Sequence, residues 1–170
     1  TLRNSSAASD VYKRQALRYT GNAAQGWLGT SFTPDQPGAH LDYLSEGAAE
    51  AGRAISDLDL CVSVRVELGD NVDAMIERRK PAVAFNMGGM GSANTNFYND
   101  AFKRAGYADD ALAIQQLWIA GKRDEAAKRV PDAMVTQFQA LGDAATVTQR
   151  LAKYRDAGVT TLKLGLDSAG

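Results

Sequence analysis

The segment at residues 58–68 constrains the fold more than any other part of this sequence. It reads LDLCVSVRVEL, and Val62, Val64 and Val66 occupy every second position. β-Branched residues favour strands, and a period of two places them on one face of a sheet. The segment therefore predicts a β-strand with one apolar face.

Strand and helix signals alternate along the rest of the chain. GWLGTSF predicts a short buried strand, and VTTLKLGL predicts a terminal strand. Between the first two strands, Leu41, Leu44, Ala48 and Ala51 have helical spacing. This alternation predicts an α/β protein with parallel strands and helical crossovers, although three strands are few for a sheet that usually has ~5–6.

Further helices follow the central strand. One is predicted over residues 70–80, capped by Asp70 and stopped by Pro81, so its basic triplet RRK is typical of a solvated helix end. Asn94 or Thr95 is expected to cap a second helix, which Gly106 ends. Three more are marked by apolar residues at helical spacing: Ala111, Ile114, Leu117 and Trp118; Met134, Val135, Phe138 and Leu141; Val147, Leu151 and Tyr154.

Composition narrows the possible classes of protein. The chain has 170 residues, about one domain's worth, and its 19 basic and 20 acidic residues argue against a nucleic-acid binder. Its single cysteine, Cys61, and single histidine, His40, exclude an internal disulfide and multi-thiolate or multi-histidine metal sites. No apolar run approaches the ~20 residues that span a bilayer. We therefore expect one cytoplasmic globular domain without a metal, nucleic-acid or membrane partner.

The first fifteen residues differ from the rest. TLRNSSAASDVYKRQ has no sustained apolar period and lacks the apolar core of a secretory signal. It resembles a spurious leader translated from adaptor sequence ahead of a truncated gene. We expect residues 1–15 to be a non-native leader, disordered or arbitrarily helical, and residues 16–170 to form the domain.

Two glycine-containing segments are candidate binding sites. Gly88, Gly89 and Gly91 precede a predicted helix, and such a loop exposes backbone N–H groups to an anion or serves as a plain turn. At the carboxyl end of the first strand, Thr30 and Ser31 would line a ligand crevice, and Trp27 would be a stacking surface or a core residue. The glycine cluster has neither phosphate-loop nor dinucleotide-fingerprint spacing.

The single histidine and the single cysteine carry no catalytic pattern. His40 follows a Pro-Gly pair at a helix start and is expected to be a surface or capping residue. Cys61 lies inside a strand and is expected to be buried and inert. Catalytic residues therefore stay unassigned.

Four blocks, in this order, resemble the C-terminal part of the luciferase-like monooxygenase superfamily. They are GWLGTSF, KPAVAFNMGGMGSANTNFYNDAFKRAGY, VPDAMVTQF and RLAKYRDAGVTTLKL. The long second block is the most specific, and the closest similarity is to the branch that uses coenzyme F-420, a deazaflavin. Gln25 departs from the family, which usually has an acid there.

The resemblance implies part of a (β/α)8 barrel, roughly its last three strands, because such barrels need ~250 residues. It implies hydride transfer between F-420 and an organic substrate by the parent enzyme, with FMN as the alternative cofactor. The parent is expected to act on a small molecule, and related barrels often pair as homodimers. A helical interaction module without catalysis is the alternative from a different class.

The resemblance also implies which residues lie near cofactor or substrate. Carried over by position, these are Trp27, Gly29, Thr30, Gly88, Gly89, Gly91, Ser92 and Asn96. An opened barrel would leave unpaired strand edges and an uncovered face, so the isolated chain is expected to be inactive and to be poorly soluble, molten or self-associated.

Overall fold

A computed structural model of the chain describes residues 2–90 and 96–166, without the side chains of residues 2–12 and Phe97. Within these ranges, eight α-helices accompany one sheet of four strands. The elements in chain order are α1 Leu2–Ala23, β1 Gly26–Gly29, α2 Gly38–Glu50, β2 Asp59–Leu68, α3 Val72–Gly88, α4 Phe97–Phe102, α5 Ala108–Ile119, α6 Arg123–Lys128, α7 Asp132–Thr136, β3 Gln139–Gly142, α8 Ala144–Asp156 and β4 Thr161–Leu166.

The predicted central strand, β2, pairs with each of the other three strands. β1 lies parallel to residues 59–62, β4 to residues 61–66 and β3 to residues 65–68. Every connection between consecutive strands contains a helix, as parallel pairing requires. The predicted α/β class with parallel strands is confirmed.

The two faces of β2 have different surroundings. One face, which we call the covered face, comprises Leu60, Val62, Val64 and Val66, each at most 5% exposed. Leu44 of α2 packs against its amino-terminal end, and Tyr154 of α8 packs against its valines. The opposite face, which we call the open face, comprises Cys61, Ser63, Arg65 and Glu67. Helices α2 and α8 therefore lie on the same side of the sheet.

A separate helical cluster follows β2. Helices α3, α5, α6 and α7 share an apolar core in which Met87, Ile114 and Met134 are fully buried. Leu141 of β3 joins the same cluster and connects it to the sheet. No helix among the described residues has both the length and the apolar character needed to cross a membrane.

Helix α1 passes through the boundary predicted between residues 15 and 16 without a break. It packs closely on α2, because a Cβ added at Gly47 would lie 1.8 Å from the Arg18 carbonyl oxygen. Lys13 forms an ion pair with Asp100 in the first turn of α4. The described part of the leader is helical, which is one of the two conformations expected for it. The non-native origin of the leader stays a prediction.

The predicted end of the third helix was wrong. Asn71, not Asp70, caps α3 by accepting a hydrogen bond from the Ala74 backbone N–H, and Pro81 lies inside the helix. An internal proline costs a helix roughly 3 kcal/mol. Burial of Val83 and Met87 beyond the proline provides the packing that offsets this cost.

The prediction of a helix through Phe138 and Leu141 was also wrong. Because of it, three strands were predicted where the described residues form four. Only Asp132–Thr136 is helical, and the segment that follows forms β3. Met134 and Phe138 have helical spacing by coincidence, since both contact the helical cluster from different elements. Pairing with β2 overrides the local pattern here.

Candidate functional site

A large groove lies at the carboxyl end of β2, between the sheet and α3. Its volume is about 1650 Å³. In parallel α/β proteins, ligands bind at the carboxyl ends of strands. We call it the arginine groove, and its charged and polar lining residues are Arg65, Glu67, Asp70, Asn71, Arg78, Arg79, Asn86 and Gln139.

Glu67 is the centre of an ion-pair network in the arginine groove. Its Oε2 accepts a hydrogen bond from Arg79 Nη2 at 2.7 Å, and its Oε1 accepts one from Arg78. The hydrogen bond from Arg79 holds the pKa of the Glu67 carboxyl below its usual value, with Arg78 adding to the effect and burial opposing it. Two guanidinium groups on one carboxylate leave positive charge in the groove.

Arg65 lies beside this network, in a row that crosses three strands. It is in register with Gln139 of β3 and with Gly165 of β4. A Cβ added at Gly165 would lie 3.2 Å from Arg65 Cδ and 3.5 Å from its Nε, so the arginine side chain passes over the glycine. The Gln139 Oε1 is buried and accepts no hydrogen bond from the described residues.

The residues predicted after the first strand line a second, smaller cleft of about 240 Å³. Trp27 and Thr30 face it together with His40 and Arg104. Gly29 lies beneath the Trp27 indole, because a Cβ there would come within 2.3 Å of the ring. A glycine is therefore required at this position to accommodate Trp27.

His40 is buried, which corrects the prediction of a surface or capping residue. It is 7% exposed, and its ring centroid lies 5.3 Å from that of Trp27 and 6.0 Å from that of Phe32. It lies on the inward side of α2 with Leu44, one helical turn away. Burial, together with the positive charge of Arg104, lowers the pKa of His40 to about 4, so the ring is neutral at pH 7.

Gly88 and Gly89 lie at the end of a helix, whereas the sequence led us to expect them in a loop ahead of one. Gly88 is the last residue of α3, and a Cβ there would come within 2.2 Å of Trp118 Cβ. Gly89 caps the same helix, and its N–H donates to the Phe85 carbonyl at 2.6 Å. These two glycines permit close packing of α3; Gly91 and Ser92 lie outside the described residues.

Asn96 joins the end of α3 to the start of α4. Its Nδ2 donates to the carbonyl oxygens of Asn86 and Met87, at 2.9 and 2.7 Å. Its Oδ1 accepts from the backbone N–H groups of Tyr98 and Asn99. With both ends of its amide bonded to protein, the 4% exposed side chain holds two helices together.

The predicted site residues thus fall into two groups. Trp27 and Thr30 share the smaller cleft, whereas Gly88, Gly89 and Asn96 lie where α3 meets α4. The arginine groove was missed. Its signal was in the strand itself, where charged residues occupy the positions between the valines, and in the basic triplet that we assigned to a solvated helix end.

Cys61 was expected to be buried, but it is partly exposed on the open face of β2. One face of β2 is buried under helices and the other carries more exposed polar side chains. This is the arrangement expected of a strand in a parallel barrel, where helices cover the outside of the sheet.

The family profile described as luciferase-like monooxygenase matches residues 11–161. The chain belongs to the luciferase-like monooxygenase family. This confirms the resemblance carried by the four sequence blocks. The fold class is confirmed as well, because the structure matches solved members of this barrel fold.

Two curated relatives are similar to this luciferase-like chain. The putative coenzyme F-420-dependent oxidoreductase Rv3520c of Mycobacterium tuberculosis is 34% identical over 146 residues, which cover 85% of this chain and 42% of the relative. The 5,10-methylenetetrahydromethanopterin reductase of Methanopyrus kandleri is 30% identical over 151 residues, covering 88% and 41%. The chain therefore spans about two fifths of the length of these relatives.

Two solved structures are similar to the fold. The coenzyme F-420-dependent tetrahydromethanopterin reductase from Methanopyrus kandleri matches with a TM-score of 0.69 and 26% identity, over 91% of this chain and 43% of that one. An F-420-dependent secondary alcohol dehydrogenase, in complex with an F-420–acetone adduct, matches with a TM-score of 0.61 over 90% and 40%. At 14% identity, the second likeness shows the fold alone. The Mycobacterium tuberculosis relative and the tetrahydromethanopterin reductase structure are named for F-420, and neither supports the FMN alternative.

Proposed function

We propose that this chain is the carboxyl-terminal part of an F-420-dependent oxidoreductase that transfers hydride between the deazaflavin and a small organic substrate. The observation that carries the proposal is the match of residues 11–161 to the luciferase-like family, together with a curated relative and a solved structure that are named for F-420. The arginine groove supports it, because it opens at the carboxyl ends of the strands, where barrel enzymes bind their ligands.

The open face of β2 corresponds, in this proposal, to the inside of the barrel. The crossover helices α2 and α8 pack on the covered face, and in a (β/α)8 barrel such helices form the outer ring. Strands from the rest of the parent would close the sheet around the open face. The isolated chain would then be inactive, because it supplies one wall of the site.

The groove fits a deazaflavin in size and in hydrogen bonding. Ligand pockets usually enclose roughly 300–1,000 Å³, and this groove is larger because it is open on one side. Asn86 lines the groove with a side-chain amide, which can donate to a ring carbonyl or accept from a ring N–H. When bound, the cofactor supplies hydride exchange at its C5, and this chain's residues bind and orient.

A chimera tests the proposed function. The amino-terminal part of the Mycobacterium tuberculosis relative is joined to residues 16–170 of this chain, and F-420 and FMN are titrated separately by fluorescence. We expect F-420 to bind at least tenfold more tightly than FMN. The isolated chain is the control and should bind neither tightly. A folded chimera that leaves F-420 fluorescence unchanged would contradict the proposal.

The remaining expectations about the parent are part of the same proposal. We propose that it works in the cytoplasm on a small molecule and pairs as a homodimer. Light scattering on the chimera measures its mass directly. A monomer that still binds F-420 would contradict the proposed homodimer but not the proposed hydride transfer.

A further inference from the structure

Among the described residues, the lining of the arginine groove has more arginines than acids. Arg65, Arg78 and Arg79 line it against Glu67 and Asp70, although the whole chain has a net charge of −1. Arg78 and Arg79 both bind Glu67. The groove therefore attracts anions in a protein that is otherwise close to neutral.

Arg65 is placed to meet a ligand on the open face. The strand positions its side chain on the side of β2 opposite the valines, and the absence of a side chain at Gly165 lets it extend across β4. A guanidinium presents N–H groups in a fixed plane that matches the two oxygens of a carboxylate or phosphate. The row of Gln139, Arg65 and Gly165 is thus shaped by register rather than by a flexible loop.

Gln139 adds a second requirement to the same row. Its Oε1 is buried and takes no hydrogen bond from the described part of the chain, which costs roughly 1–3 kcal/mol unless a partner arrives. An oxyanion has no proton to donate to the Gln139 Oε1, but a hydroxyl group next to the oxyanion can donate one.

We propose that the row Gln139–Arg65–Gly165 binds a carboxylate or phosphate group of the substrate, with Gln139 accepting a hydrogen bond from a neighbouring hydroxyl. The assignment to the substrate rests on the proposed function. Binding of the oxyanion to the row does not, because it requires only residues of this chain.

Small anions test the row directly on the chain. Acetate, glycolate and inorganic phosphate are titrated into the 15N-labelled protein, and the NMR signals of arginine Nε–H groups are followed. We expect saturable shifts at Arg65, with glycolate binding more tightly than acetate because of its added hydroxyl. Gln139→Leu should abolish that difference between the two acids.

Matched variants separate a site from general charge attraction. Arg65→Gln should weaken phosphate binding at least fivefold, whereas Arg155→Gln, at an exposed arginine of α8, should leave it unchanged. Gly165→Val should weaken it as well by displacing Arg65, and this variant decides the matter if Arg65→Gln fails to fold. Equal losses in the Arg65→Gln and Arg155→Gln proteins, or no loss in either, would overturn the proposal.

The chimera distinguishes the two proposals and the source of the oxyanion. Phosphate that binds at Arg65 without changing F-420 affinity supports a substrate group. Phosphate that weakens F-420 binding assigns the oxyanion to the cofactor and overturns the assignment to substrate. F-420 binding without any anion binding overturns only this inference, and anion binding without F-420 binding overturns only the proposed function.

Discussion

The covered and open faces of β2 come from one ten-residue strand, yet they obey different requirements. Val62 and Val64 on the covered face are 1% exposed and packed by α8, whereas Ser63 and Arg65 on the open face are exposed. The covered face stabilises the fold by burying apolar area. The open face retains a charged arginine in a groove, which contributes little to folding and is suited to binding. Because successive side chains of a strand point to opposite faces, one strand can place the residues that stabilise the fold on one side and the residues suited to binding on the other.

The largest expected difference comes from placing the same charge on each face. Val64→Asp buries an unpaired carboxylate and should cost roughly 4 kcal/mol or more of unfolding free energy. Ser63→Asp, its neighbour on the open face, should change that free energy by less than about 1 kcal/mol. Urea denaturation measures both. Similar losses in the two variants would mean that the open face is covered in solution.

The second difference concerns acid stability and His40, which packs against Trp27 on the covered side. Its pKa of about 4 lies below the unfolded value of ~6.5, so the unfolded state takes up a proton first as the pH falls. Neutral His40 makes its full contribution to the free energy of unfolding above about pH 6.5. Because of this group, that free energy falls by roughly 3 kcal/mol by pH 4. His40→Gln should flatten the dependence between those pH values. An unchanged slope in the variant would contradict the burial of His40.

Glycines on the two sides give a third comparison. Gly47→Ala on α2 places a Cβ against the Arg18 carbonyl and should cost about 1–3 kcal/mol, because backbone cannot move aside cheaply. Gly165→Ala on β4 meets the flexible Arg65 side chain and should cost less than about 0.5 kcal/mol. Thermal unfolding of the pair measures the difference. Equal costs would show that Arg65 is held rigidly.

The smallest effect is expected at Glu67. Because its folded pKa is lowered, chiefly by Arg79, its contribution is present above the unfolded value of ~4.3 and is lost as the pH falls through the folded value. Glu67→Gln should therefore reduce stability at pH 7 by less than about 1 kcal/mol and have no effect at pH 2. A loss that persists at pH 2 would point to packing instead of charge.

Local pattern predicted the elements whose apolar spacing agrees with their packing. The valines of β2, the helix through Ile114 and the helix through Tyr154 were all found in place. The prediction failed where distant contacts decide: packing of Val83 and Met87 continues α3 past Pro81, and pairing with β2 makes a strand of residues 139–142.

The candidate site was harder to predict than the fold. Glycine-rich segments attracted attention because glycine permits unusual loops, but Gly88 serves the packing of Trp118. The arginine groove needs Arg65, Gln139 and Gly165 from three strands in one row, and that register is invisible until the strands are paired. A resemblance supplied the family, while only the structure brought these residues together.

Reactivity of the single cysteine tests most directly whether the open face is the inside of a barrel. Cys61 lies on that face in β2 and is partly exposed. Its rate of reaction with a bulky maleimide is measured in the isolated chain and in the chimera, after the relative's own cysteines are replaced by serine. We predict at least tenfold slower reaction in the chimera, because the added strands close over the thiol. The same rate in both proteins would contradict the account.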